Sequence, residues 1–82
     1  SIAQQPAAVK GNVYDTAAKR GLAYATISIV NAKDSTLVTF TRADSTGKFS
    51  FKSLEKGSYL LSASYVGYIP IWKNIEVKTG QE

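Results

Sequence analysis

Apolar and polar residues alternate with a period of two in short stretches of this chain, and clusters of Gly, Asp, Asn and Ser separate the stretches. Side chains of an extended strand point alternately to opposite faces, so this pattern predicts strands stacked as a sandwich or barrel, with almost no helix. The first predicted strand runs from Val9 to Tyr14, with Val9, Gly11 and Val13 on one face and Lys10, Asn12 and Tyr14 on the other. A glycine in the inward set marks a place where another backbone or a large ring comes close. Asp15 to Leu22 is polar and reads as a loop, with a helical turn at Ala17-Ala18 too short to stand alone. The second strand, Ala25 to Val30, turns Ile27 and Ile29 inward, and Asn31 to Ser35 reverses the chain. The third, Leu37 to Arg42, sets Val38 and Phe40 inward and leaves Thr39 and Thr41 on the wet face.

Ala43-Asp44-Ser45-Thr46-Gly47 is a strong turn, because Asp and Ser offer acceptors to the backbone and Gly47 tolerates positive φ. The strands on either side of it are therefore expected to pair as a hairpin. The fourth strand, Lys48 to Lys52, places Phe49 and Phe51 in the core. After Leu54 and a tight turn at Glu55-Lys56-Gly57, the fifth strand runs from Ser58 to Val66 with Tyr59, Leu61, Ala63 and Tyr65 on one face. Pro70 cannot donate to a ladder, so Gly67 to Pro70 predicts a bulge or a crossover between sheets. The sixth strand, Ile71 to Val77, turns Ile75 and Val77 inward, and Thr79 to Glu82 forms another turn. The predicted core adds Leu54 and Ile69 to the inward residues already named.

With 82 residues, this pattern describes one domain with one thin core, in which about two thirds of the unfolded chain's surface is buried. The apolar share of 44% is too high for a disordered chain. No apolar run approaches the roughly 20 residues that cross a bilayer as a helix, so direct membrane insertion is not expected. Cysteine and histidine are both absent, which excludes disulfides, thiolate nucleophiles, imidazole ligands and the side chain that titrates nearest neutrality. The net charge of +4 comes from cations scattered from Lys10 to Lys78, which predicts a solvated surface and no nucleic-acid partner. Residues 1–8 are set apart as a linker or signal-peptide remnant: small residues at Ser1 and Ala3 precede a polar stretch, as around a secretory cleavage site, and an expression scar explains them equally well. The folded domain is expected over residues 9–82.

The order of these signals resembles a known family. Lys10-Gly11-Asn12-Val13-Tyr14-Asp15, Gly21 to Ile29, Thr41 to Phe51 with its Asp44-Ser45-Thr46-Gly47 turn, Leu54 to Leu61, and Ser64-Tyr65-Val66-Gly67-Tyr68 follow one another as in the carboxypeptidase regulatory-like domain, over about Val9 to Gly80. The resemblance implies a Greek-key β-sandwich of six to seven strands, similar to transthyretin (prealbumin). Such a domain stands beside the catalytic domain of some carboxypeptidases and at the N-termini of Bacteroidetes outer-membrane β-barrel proteins, including TonB-dependent receptors. Val66-Gly67-Tyr68 and the Asp-Ser-Thr turns at Asp34 and Asp44 are closer to the second group, which implies a periplasmic or outer-membrane location. Members of the family usually carry one more strand after the turn at Thr79 to Glu82. That strand follows beyond Glu82, is irregular, or comes from a neighbouring molecule, and the last case predicts pairing through an open edge, for example as a dimer.

Candidate chemistry is sparse. The carboxylates sit mostly in turns, where capping explains them, and Asp44 to Gly47 lacks the further acidic positions and terminal Glu of a calcium loop. No metal, cofactor or catalytic residue is assigned. The serines have no histidine to activate them, and the glycines form no phosphate-binding fingerprint. Tyr59, after Gly57, is placed to anchor its hydroxyl to nearby backbone as in a tyrosine corner. Among Tyr14, Tyr24, Tyr68 and Trp72, the pair Tyr68 and Trp72 is the candidate surface for a partner or a glycan. The expected function is a non-catalytic accessory domain of a larger exported or outer-membrane protein, whose partner is the rest of its own polypeptide or another envelope protein. The alternative is a carbohydrate-binding module that uses exposed aromatics.

Overall fold

Ile27 and Ile29 are fully enclosed, and the sheet that carries them organises the domain. In the computed structural model, which describes residues 7–78, eight strands follow in order: β1 Ala7–Asn12, β2 Tyr14–Asp15, β3 Arg20–Gly21, β4 Thr26–Asn31, β5 Leu37–Arg42, β6 Lys48–Leu54, β7 Gly57–Ser64 and β8 Ile71–Val77. Four of them form one antiparallel sheet in the order β5-β4-β7-β8, while β1 pairs with β6 and β2 with β3. The β1–β6 ribbon covers the inner face of the larger sheet, and the core between them is Leu22, Ala25, Ile27, Ile29, Ala43, Phe51, Leu54, Tyr59 and Val77. This is the all-β sandwich that the alternation predicts. Residues 1–6 and 79–82, which include the cleavage-site motif and the final turn, lie outside the described residues. β1 spans Ala7–Asn12, and its first two residues fall in the stretch set apart as a linker.

Local signals account for the joints. Tyr59 is buried, and its hydroxyl donates to the Glu55 carbonyl at 2.6 Å, which closes the turn into β7 as a tyrosine corner. Gly11 faces the Phe49 ring so closely that a Cβ there would lie 2.5 Å from it, the approach its place in the inward set predicts. Asp34 and Asp44 fasten their turns alike. Each carboxylate accepts from the backbone N–H and the hydroxyl of the threonine two residues on, Thr36 at 3.1 and 2.7 Å and Thr46 at 2.8 and 2.7 Å.

Several expectations are corrected. The turn at Asp44 forms, and Gly47 has φ of 91°, yet the strands on either side of it do not pair as a hairpin. Here Ala43 donates to the Ala25 carbonyl at 2.8 Å and the Gly47 carbonyl accepts from Val13 at 2.8 Å, so the two ends of the turn belong to different sheets. The turn is a crossover. The opposite correction holds for Gly67 to Pro70, which joins β7 to its neighbour β8 within one sheet. Val38 and Phe40 are exposed, because the register sets Thr39 opposite Ile29 and Thr41 opposite Ile27, and cross-strand partners share a face. A register shift between Ile29 and Val30 takes Val38 out of the ladder. Ile69, also expected inward, is 88% exposed in the β7–β8 turn.

Candidate functional site

Tyr68 and Trp72 occupy different settings. The Tyr68 backbone N–H donates to the Tyr65 carbonyl at 3.0 Å, its ring meets the Tyr65 ring edge-on with centroids 5.4 Å apart, and its hydroxyl donates to the Asp15 carboxylate. Asp15 also accepts from the N–H groups of Ala17 and Ala18 at 2.9 and 3.0 Å. These bonds favour the ionised carboxylate, the Tyr68 hydroxyl most of all, and hold Asp15 below the usual carboxylate range. The same bond raises the Tyr68 phenol, while Arg20 pulls it the other way. Tyr68 is thus a latch between the β7–β8 turn and the β2–β3 hairpin.

Trp72 stands on β8 opposite Ser62, on the face of the four-stranded sheet turned away from the core, and is 58% exposed. Reading across that sheet at the same level gives Phe40 on β5, Ser28 on β4, Ser62 on β7 and Trp72 on β8. The adjoining level pairs Thr26 with Ser64 and with Arg42. Four hydroxyl side chains, Thr26, Ser28, Ser62 and Ser64, therefore form a square on the two central strands, with an exposed aromatic on each side. Sequence reading names Trp72 and misses Phe40, because alternation shows that Phe40 and Thr41 face opposite ways but not which of them faces the core. The T-x-S pattern of β4 and the S-x-S pattern of β7 were the available signal.

A second feature is a cleft between the sheets. β1 pairs with β6 along one edge, and among the described residues its other edge has no partner. Beneath that edge lies a largely apolar space of about 340 Å³ lined by Val9, Val13 and Phe49 above and by Leu61, Ile71 and Ile75 of the larger sheet below, with Lys73 between the two isoleucines. Ile71 is left 65% exposed at its mouth. The smaller sheet is narrower than the one it covers, so the Ile71 end of β8 lies open on the inner face while Val77 at its other end is buried.

Charge is less scattered on the folded chain than along the sequence. Lys10, Lys48 and Lys52 alternate to the solvent side of the β1–β6 ribbon, and a shallow depression of about 640 Å³ there brings Lys10, Asn12, Arg42, Lys48 and Ser50 together. Asp44 at its rim is committed to its turn, where Thr46 and the Lys48 backbone N–H hold its carboxyl below the usual range. Among the described residues no three Asp or Glu side chains come together as a metal site would require.

A narrow ribbon laid on a broader antiparallel sheet, with polar side chains fastening the turns, defines a small β-sandwich module. The chain belongs to the carboxypeptidase regulatory-like domain family, whose model matches residues 8–82, and that family is one of regulatory, non-catalytic domains. Comparison with curated proteins and with solved structures gave no match.

Proposed function

We propose that this domain is a non-catalytic accessory module of a larger exported or outer-membrane bacterial protein, held in the periplasm or at the outer membrane, and that it docks by taking an extended strand along the open edge of β1. The observation that carries this reading is the apolar cleft beneath that edge. Unpaired backbone groups on a strand edge accept a further strand, and alternate side chains of the incoming segment would cover Ile71 and Ile75. The donor is the rest of the parent polypeptide or another envelope protein, and in their absence a second copy of this chain. Its membership of a family of accessory domains supports the same role, and the resemblance to TonB-dependent receptor N-termini supports the location.

Amide hydrogen exchange tests the proposal. The expected result is slow exchange of the β1 backbone in the intact parent protein and faster exchange in the isolated chain, whereas equal and fast exchange in both would overturn strand docking. A second reading, a carbohydrate-binding module, draws on the exposure of Trp72. Of the pair Tyr68 and Trp72, Trp72 is the freer, because the Tyr68 hydroxyl is already committed to Asp15.

A further inference from the structure

We propose that the outer face of the four-stranded sheet is a binding track for a neutral oligosaccharide, formed by Phe40 and Trp72 as flanking rings and by the hydroxyls of Thr26, Ser28 and Ser64 between them. This inference deepens the carbohydrate reading and rests on it. The row Phe40, Ser28, Ser62, Trp72 spans three inter-strand spacings, roughly 14 Å, the scale of a short oligosaccharide. A pyranose presents an apolar face of C–H groups and a rim of hydroxyls. An exposed aromatic ring receives the former and a serine or threonine hydroxyl bonds the latter, as donor or acceptor.

Three observations favour a sugar over other occupants. Phe40 and Trp72 are 65% and 58% exposed on the outer sheet face, and between them Thr26 and Ser28 are half-buried and Ser64 is exposed, while Ser62, at 8%, is covered and offers a ligand little surface. Protein interfaces are depleted of serine at their centres, and their binding hot spots under-represent serine and threonine, which argues against a protein partner on this square. The two levels that carry the square hold a single charged side chain, Arg42, at the edge, so the track is chemically matched to an uncharged ligand. The cations of the β1–β6 ribbon lie on the opposite side of the sandwich.

Trp72 is the only tryptophan of the chain, so intrinsic fluorescence reports on the track directly. The test titrates the chain with maltotetraose, cellotetraose, xylotetraose and mannotetraose, following fluorescence and, for variants, calorimetric heat. At least one of the four is expected to saturate the signal, with Trp72→Ala abolishing the heat and Phe40→Ala or Ser28→Ala weakening affinity about tenfold. Circular dichroism melts of the variants confirm that they remain folded. If none of the four binds, the track and the carbohydrate reading fall together. Binding that survives Phe40→Ala and Trp72→Ala but is lost in Tyr68→Phe overturns the track and leaves the carbohydrate reading standing. A fluorescence change produced by concentrating the protein alone, with a dimer in light scattering, assigns the face to a second copy and overturns the proposal.

Discussion

Asp44 shows how much a single turn residue decides in this domain. Its carboxylate accepts from the Thr46 backbone, the Thr46 hydroxyl and the Lys48 backbone, and each bond is stronger to the ionised form than to the protonated one. Asp15 and Asp34 are depressed in the same direction by the Tyr68 and Thr36 hydroxyls, respectively, as largest cause. A carboxyl whose folded pKa lies below its unfolded value stabilises the fold above the unfolded value and loses that contribution as pH falls through the folded one. Urea melts should therefore show stability level above about pH 5 and declining from about pH 4 downward. Asp44→Ala should lower the neutral-pH midpoint and flatten that decline. A steeper acid decline in the variant would show that Asp44 is not one of the groups responsible. Glycine at 21 is required by close approach: a Cβ there would lie 1.8 Å from the Thr46 carbonyl oxygen, so backbone must move. Gly21→Ala is expected to cost about 3 kcal/mol, the upper end for overpacking, measured by the shift in urea midpoint.

At the scale of elements, facing is the property that matters. Phe51 is 5% exposed and Ile29 is 0% exposed, so Phe51→Ala should cost about 3 to 5 kcal/mol and Ile29→Ala about 2 to 5. Phe40→Ala, at a position 65% exposed on the other side of the sheet, should change stability by less than about 1 kcal/mol. Urea denaturation of the three variants separates the observed facing from the one alternation suggests, because an inward Phe40 would cost as much as Phe51. Strand positions were legible in the sequence to within a residue or two for β1 and for β4 to β8, because period-two alternation and turn chemistry are local, but the short β2–β3 pair falls in the end of the first predicted strand and in the stretch from Asp15 to Leu22 that reads as a loop. Tyr59 and Gly11 were legible for the same reason. Pairing was not legible. The turn at Asp44 has the local chemistry of a hairpin, and only the remote acceptor at Ala25 and the remote donor at Val13 send its two arms into different sheets. Phe40 and Thr41 present equally good alternatives until Ile27 and Ile29 of β4 decide which side is inside. The hydroxyl square was hidden for a related reason, since Thr26, Ser28, Ser62 and Ser64 meet only when β4 pairs with β7.

For the whole molecule, the unequal width of the two layers is the governing fact. Four strands face two, plus the short β2–β3 pair, and cover of the inner face of β8 falls away from Val77, 5% exposed, toward Ile71, 65% exposed. Val9, Val13 and Ile75 there are partly buried, and Ile71 lies open. A largely apolar cleft under a strand edge that has no partner among the described residues favours association, since a third strand beside β1 would bury side chains and pair backbone groups in one step. In the absence of its parent, the isolated chain is expected to associate as its concentration rises from micromolar to millimolar, as followed by light scattering. Lys73 already lies beside Ile71 in the cleft, so a second cation there, Ile71→Lys, should oppose strand addition further and shift the onset of association to higher concentration. At a site already 65% exposed, the same substitution should leave the urea midpoint nearly unchanged. Phe40→Lys on the outer face separates the two surfaces. If association runs through β1, that variant associates as the parent sequence does; if it runs through the outer face, Phe40→Lys abolishes association and Ile71→Lys does not.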